Sequence, residues 1–315
     1  MFKKVSLTIL VIIAVVIAYA AFGRKDLTLS KDYVNKKYSQ PNSHFLNWKG
    51  TQVHYTESGK GFPILMIHGF GGSSYDFKAL DSLLNDDQYR VIRIDLPGFG
   101  LSDFPETKDL NGDYIKVYDE YFSFLLDTLH LDSMYVMGNS LGGLMSWNLA
   151  VKHPQNVKKL ILFNSAGYEM KEVLKTANVK YFSGNMAKIF LKNGLPESFM
   201  TKGISRIFYD PDFLKEDERF RLFEMWNRKG NLQQIMNMTS SDKYLDTKVV
   251  STIACPTLIV WGKYDKVVPV KYAEYFHRDI KNSEEIIYDS CGHVPMIERP
   301  LDVKRDVLKF LHESN

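Results

Sequence analysis

Ser140, Asp265 and His293 are the residues whose types and surroundings most directly suggest a reaction. Ser140 lies in Val136-Met137-Gly138-Asn139-Ser140-Leu141-Gly142-Gly143. Gly-x-Ser-x-Gly between an apolar strand and a helix is a nucleophile elbow. The serine takes a strained turn, its hydroxyl stands clear of the sheet edge, and glycines two positions to either side remove Cβ atoms that would collide with strand and helix. A helix starting after Ser140 also turns its positive end toward the place where negative charge develops. The same five-residue pattern describes a glycine-rich turn with an inert serine, so its context must carry the argument. A serine hydroxyl needs a base, and the base needs an orienting group. In this arrangement the acid and then the histidine follow the serine, each on a loop at a strand's carboxyl end. Trp261-Gly262-Lys263-Tyr264-Asp265-Lys266-Val267-Val268-Pro269 and Ser290-Cys291-Gly292-His293-Val294-Pro295 supply them in that order. Asp265 would fix the imidazole tautomer, and His293 would take the serine proton and return it to the leaving group.

Rivals for these roles have structural readings. Asp95 and Asp103 belong to a turn after a strand and suit bracing it; Asp289 is only four residues from His293, too near for a side-on approach. His68 precedes a glycine-rich turn, and His130, His153 and His277 fall at helix ends, where they suit capping. An oxyanion requires two N–H donors. The amide of Leu141, just after the nucleophile, is one candidate, and the amide of Phe70 in His68-Gly69-Phe70-Gly71-Gly72 is the other. Candidate pocket residues are Phe70, Met225, Trp226 and Val294.

These residues need a scaffold. Residues 44–48 and 51–56, joined by Lys49-Gly50, read as an antiparallel hairpin. Continuous apolar runs at 62–68, 89–95, 134–137 and 157–164 read as parallel strands covered on both faces, with helices at 75–84, 113–131 and 144–151 between them. Alternation stops from Gly167 to about Val250, where helical patterns carry many methionines and aromatics, including Met170, Tyr181, Phe182, Met186, Phe208 and Trp226. It resumes with a strand at 255–261, a helix near 270–278, a strand at 284–288 and a closing helix at 301–312. The expected fold is α/β: a mostly parallel eight-stranded sheet with helices on both faces, residues 44–166 and 251–315 forming the core and 167–250 an inserted helical cap.

The 315-residue chain is long enough for a large core, and its 45% hydrophobic and 24% charged content is that of an ordinary globular protein. A net charge of +3, dispersed and without a basic stripe, argues against nucleic acid. Cys255 and Cys291 fall in different strand contexts and read as free thiols; no metal or organic cofactor is expected, since the triad and two amides fill every role. Residues 5–22 form an uncharged apolar run between Lys3-Lys4 and Arg24-Lys25. Eighteen helical residues reach about 27 Å, enough to cross the hydrocarbon layer as an anchor. Ala18-Tyr19-Ala20 also resembles a signal-peptide cleavage site, which would leave a secreted or periplasmic protein, and a buried core helix is a third reading. Residues 26–43, polar and rich in lysine, are expected to tether residues 1–25 to the folded domain.

Five motifs in order, His68-Gly-Phe-Gly-Gly72, Asp95-Leu-Pro-Gly-Phe-Gly-Leu-Ser-Asp103, Gly138-Asn-Ser-Leu-Gly-Gly143, Trp261-Gly-Lys-Tyr-Asp-Lys-Val-Val-Pro269 and Cys291-Gly-His-Val-Pro-Met-Ile-Glu-Arg-Pro300, together resemble the α/β-hydrolase superfamily from residue 44 onward. Serine at the elbow is unlike haloalkane dehalogenases and epoxide hydrolases, which carry aspartate there. The apolar amino-terminal segment and the Gly-His-x-x-x-x-Glu-Arg-Pro ending look most like membrane-anchored monoacylglycerol lipases and carboxylesterases. That resemblance implies an ester or lipid substrate cleaved through an acyl-enzyme. Gly-Asn-Ser-x-Gly-Gly also resembles carbon–carbon bond hydrolases of ring-fission dienones, which would need a basic residue such as Arg206 or Arg228 in the pocket. A slow hydrolase-fold receptor for a small molecule is the reading from a different class.

Overall fold

The computed structural model describes residues 26–84, 88–105, 113–169, 190–239 and 245–313. The apolar run 5–22 and the cap residues Met170, Tyr181, Phe182 and Met186 lie outside them. After helix α1 (Lys31–Tyr38) come β1 (Ser43–Trp48), β2 (Thr51–Gly59), β3 (Phe62–Ile67), a 3-10 turn (Ser74–Phe77), α2 (Lys78–Leu84), β4 (Tyr89–Ile94), α3 (Tyr114–Thr128), β5 (Met134–Asn139), α4 (Leu141–Lys152) and β6 (Val157–Phe163). Among the described residues of the segment expected to form the cap come α5 (Glu197–Ile204), α6 (Glu216–Trp226) and α7 (Asn231–Thr239). The core then resumes with β7 (Thr257–Gly262), α8 (Lys271–Asp279), β8 (Ser283–Tyr288), α9 (Pro295–Glu298) and α10 (Pro300–His312).

The eight strands form one sheet in the order β1-β2-β4-β3-β5-β6-β7-β8. β2 runs antiparallel to both β1 and β4, and the pairs from β4 through β8 are parallel. Strand side chains alternate between faces, so the central strands, covered on both, are apolar at most positions, while β4 keeps Arg90 and Arg93 and the edge strands β1 and β8 stay largely exposed or half-buried. Leu65, Ile67, Val136, Leu160, Leu162 and Ile259 face one core with α3, α4 and α8. Their neighbours Ile64, Met66, Met137, Ile161, Phe163 and Leu258 face the other with α2 and α10. That is why these segments read as unbroken apolar runs. Helix ends follow local chemistry: the Asp113 side chain accepts from Lys116 N at 3.1 Å to start α3, and Pro300 occupies the first turn of α10.

The tether expected over residues 26–43 is corrected. Lys31–Tyr38 is a helix, started by Ser30, whose Oγ accepts from Tyr33 N. Val34 and Tyr38 pack with Leu101 and Met225. The lysines that suggested a solvated linker occupy its outer side, and the apolar residues are spaced one helical turn apart, too few to stand out in a polar stretch.

Candidate functional site

The loops that carry the predicted chemistry all leave the carboxyl edge of the parallel strands, where ligands bind in open α/β sheets. Ser140, directly after β5, has φ 54° and ψ −115°, a conformation costing on the order of 1–3 kcal/mol. Bonds on both sides hold it there: Ser140 N donates to Phe163 O at 3.0 Å, and its carbonyl accepts from Leu144 N at 3.0 Å and Ala166 N at 2.9 Å. Close packing beneath the elbow requires glycine, since a Cβ on Gly142 would lie 2.0 Å from Ile67 O. Leu141, the first residue of α4, has one of the four amides that a helix start leaves without an intrahelical acceptor.

His293 Nδ1 donates to Asp265 Oδ2 at 2.7 Å. A carboxylate oxygen only accepts, so Nδ1 carries the hydrogen; in the neutral imidazole that leaves the lone pair on Nε2, the form a general base requires. The Asp265 carboxylate is fully buried and four donors fix it: Val267 N at 2.7 Å and Val268 N at 3.0 Å on Oδ1, and His293 Nδ1 and Asn164 Nδ2, the latter at 2.6 Å, on Oδ2. The His293 backbone is equally constrained. Its N–H donates to Ile207 O at 2.7 Å, and its carbonyl accepts from Asn139 Nδ2 at 2.9 Å. Asn139 immediately precedes Ser140, so one side chain ties the elbow to the histidine loop.

Glu298 anchors the same loop. One oxygen accepts from Gly292 N at 2.9 Å and the other from Tyr209 N, just before α6, at 2.7 Å. Burial raises its carboxyl pKa, and these backbone donors oppose the rise.

The loop after β3 lies beside the elbow: a Cβ on Gly69 would be 3.2 Å from Ser140 Cβ. Phe70 is 40% exposed and meets Phe99 edge-on at 5.6 Å. Trp226 is half-buried and donates Nε1–H to Gly71 O at 2.6 Å, so its polar edge is committed to this loop. Val294 is buried directly after His293. Met225, expected in the pocket, is corrected: it is buried against Val34, Tyr38 and Leu101, because it leaves α6 on the side that faces α1.

The rivals brace loops. His68 Nδ1 donates to Gly69 O at 2.7 Å and its Nε2 accepts from Leu96 N at 2.9 Å. Asp95 accepts from His54 Nδ1, Ser74 N and Leu101 N at 2.8, 2.6 and 2.8 Å. Asp103 pairs with Arg228, and Asp289 is an exposed partner of Lys263. Asn139, Asn164 and Glu298 had no assigned part in the sequence reading. Their signal is weak but present: Asn139 and Asn164 each end an apolar strand at the edge where the chemistry sits, and Glu298 stands five residues after His293.

Comparison with known proteins bears on this arrangement. The alpha/beta hydrolase fold family matches residues 63–300. Lipase 3 of Moraxella sp. (strain TA144) is 30% identical over 266 residues, spanning 83% of this chain and 81% of that protein. A 2-hydroxy-6-oxo-6-(2'-aminophenyl)hexa-2,4-dienoic acid hydrolase of Metapseudomonas resinovorans is 28% identical across 85% of this chain and 90% of its own. Among solved structures, a membrane phospholipase A described as a bacterial virulence factor superposes with a TM-score of 0.72 at 22% identity, covering 97% of this chain and 96% of that one. The sheet order, the elbow and the match across most of its length lead to one assignment: the chain belongs to the alpha/beta hydrolase fold family and is a hydrolase.

Proposed function

We propose that the protein is a serine hydrolase that cleaves carboxylic esters of lipid-like or otherwise apolar substrates through an acyl-enzyme on Ser140, His293 and Asp265. The reading rests chiefly on the 2.7 Å Asp265–His293 bond, on a loop that Asn139 ties to the strained Ser140 that follows it. Ser140 Oγ attacks the ester carbonyl carbon while His293 Nε2 takes its proton. The amides of Leu141 and Phe70 receive the oxyanion. Collapse breaks the ester C–O bond, and the alcohol leaves with the proton held by His293. Water, deprotonated by His293, then attacks the acyl-enzyme, and Ser140 leaves reprotonated with release of the acid. Asp265 balances the charge of the imidazolium in both halves.

The lipase similarity supports ester chemistry, and the apolar segment 5–22 suits a lipid substrate met at a membrane, where it would serve as an anchor; cleavage after Ala20 would give a secreted form instead. Among the described residues no helix is long and apolar enough to cross a membrane. The similarity to the dienoic acid hydrolase favours a second reading, carbon–carbon bond hydrolysis. Of the two arginines that could supply the basic residue it needs, Arg228 is buried and spent on Asp103, Asn35 and Leu101 O, and Arg206 is exposed.

The test uses full-length protein in detergent, with Ser140→Ala as blank and p-nitrophenyl esters from acetate to palmitate beside a ring-fission dienone. An optimum kcat/KM at medium or long acyl chains, abolished by Ser140→Ala with the fold intact, is expected. Ester hydrolysis retained in Ser140→Ala would remove the nucleophile assignment, and faster turnover of the dienone would reverse the order of the two readings.

A further inference from the structure

The segment before the sheet grips the cap. Leu27 N donates to Asn193 O at 2.9 Å, Leu29 N to Asn227 O at 2.8 Å, and Lys229 N to Leu29 O at 2.9 Å. Helix α1 then closes on the buried Glu224 of α6: Tyr33 Oη donates to Oε1 at 3.0 Å, and Lys37 Nζ at 2.7 Å and Tyr38 Oη donate to Oε2. Asn35 Oδ1 accepts from Arg228 Nε at 2.9 Å. Two residues beyond Glu224, α6 ends at Trp226, whose indole N–H reaches Gly71 O at 2.6 Å.

That last bond sets a series of peptide planes. A trans peptide points its C=O and N–H in opposite directions. Fixing Gly71 C=O on Trp226 therefore directs the N–H of Gly72 away from it, and that N–H donates to Gly69 O at 3.1 Å. Gly69 O also accepts from His68 Nδ1. With Gly69 C=O held by two donors, the N–H of Phe70 in the same peptide must point the other way. Gly71 itself has φ +74°, and a Cβ there would lie 2.4 Å from the indole, so the contact admits only glycine.

We infer that Trp226 is a positioning residue that orients the Phe70 amide for the oxyanion, and that the amino-terminal strap, latched on Glu224, holds Trp226 in register. The inference rests on the serine-hydrolase reading above. A hydrogen-bond donor aimed at the oxyanion acts in the transition state, so its loss appears in kcat and in reaction with tetrahedral-phosphorus reagents, with little change in KM.

The experiment uses the full chain in detergent. Trp226→Phe keeps an aromatic side chain, though a smaller one, and removes the N–H; Glu224→Gln keeps the size and weakens the latch. The readouts are kcat and KM on p-nitrophenyl butyrate and the second-order rate of Ser140 labelling by a fluorophosphonate. Removing an oxyanion donor outright costs about 100- to 1,000-fold, so a displaced donor in Trp226→Phe is expected to lower kcat and the labelling rate about tenfold, with KM within about twofold. Glu224→Gln is expected to lower both about threefold alone and to add nothing in the Trp226→Phe background, as residues acting through one contact do. A raised KM with unchanged kcat and labelling assigns Trp226 to cap packing and overturns the inference. Additive effects of the two changes overturn the part played by the strap. Wild-type protein that fails to label at all overturns the serine-hydrolase reading and this inference with it, whereas a labelled wild type matched by Trp226→Phe overturns this inference alone.

Discussion

Asn164→Gly measures how much of the site depends on a residue outside the proposed triad. Asn164 has φ 43°, which glycine adopts freely, whereas alanine would add left-handed strain of about 1–2 kcal/mol. The substitution removes the 2.6 Å donor to Asp265, a 3.2 Å donor to Gly292 O and the acceptor 3.4 Å from Gly262 N. A hydrogen bond to a charged group contributes about 1.5–3 kcal/mol. At 1.36 kcal/mol per tenfold this bounds the loss in kcat at about 10- to 150-fold. The lower end is expected, because Asp265 Oδ1 keeps both amides, Val267 N at 2.7 Å and Val268 N at 3.0 Å. The assay is kcat and KM on p-nitrophenyl butyrate, with a urea transition to confirm that each variant is folded. Asp265→Asn, which imposes the wrong imidazole tautomer, is the reference, with an expected loss of about 10,000-fold. If Asn164 acts only by holding Asp265, the double variant is no slower than Asp265→Asn. Full kcat in Asn164→Gly, or a further tenfold drop in the double variant, would refute the reasoning.

Three more predictions rest on separate parts of the molecule. Burial alone would raise the Asp95 carboxyl pKa, but His54, His68 and the amide of Leu101 hold it well below the usual range. Its stabilising contribution is therefore present above the unfolded carboxylate pKa of about 4 and is lost as pH falls toward the folded value. The wild-type urea midpoint should drop from pH 5 to pH 3 more steeply than that of Asp95→Asn, which at neutral pH should be less stable by about 3–5 kcal/mol; parallel pH dependences would refute this. Burial pushes the Cys255 thiol up to about 11 and that of Cys291 further. At pH 8 a thiol reagent should modify native protein about 200-fold more slowly than the urea-unfolded chain, which should titrate two thiols; rapid native modification would contradict that burial. Gly142→Ala places a methyl 2.0 Å from Ile67 O, and a shift of the elbow by about 1 Å should cost about 100-fold in Ser140 labelling. A labelling rate equal to wild type would mean that the contact relaxes without moving the serine.

The sequence alone determined the strand pattern and named the candidates for chemistry at the sheet edge. Strands buried on both faces are apolar at most positions, so the runs at 62–68, 89–95, 134–137 and 157–164 were legible as strands without any partner in view. The glycines at 138 and 142, and the order of serine, aspartate and histidine loops, follow from local needs of an elbow and a base. These are requirements each segment carries by itself, and they show in its residues.

What the tertiary structure decided are the contacts between segments far apart in the chain. Asn164 and Asp265 are 101 residues apart and Asn139 and His293 are 154 apart. A single asparagine has no periodicity to mark its partner. Met225 and Trp226 looked alike as apolar cap residues. Their successive positions on α6 send one toward α1 and the other to Gly71 O, and only the docking of that helix says which face meets which neighbour. The strap was unreadable for the same reason: Tyr33, Lys37 and Tyr38 look solvated until a buried carboxylate 186 or more residues away collects their hydrogens.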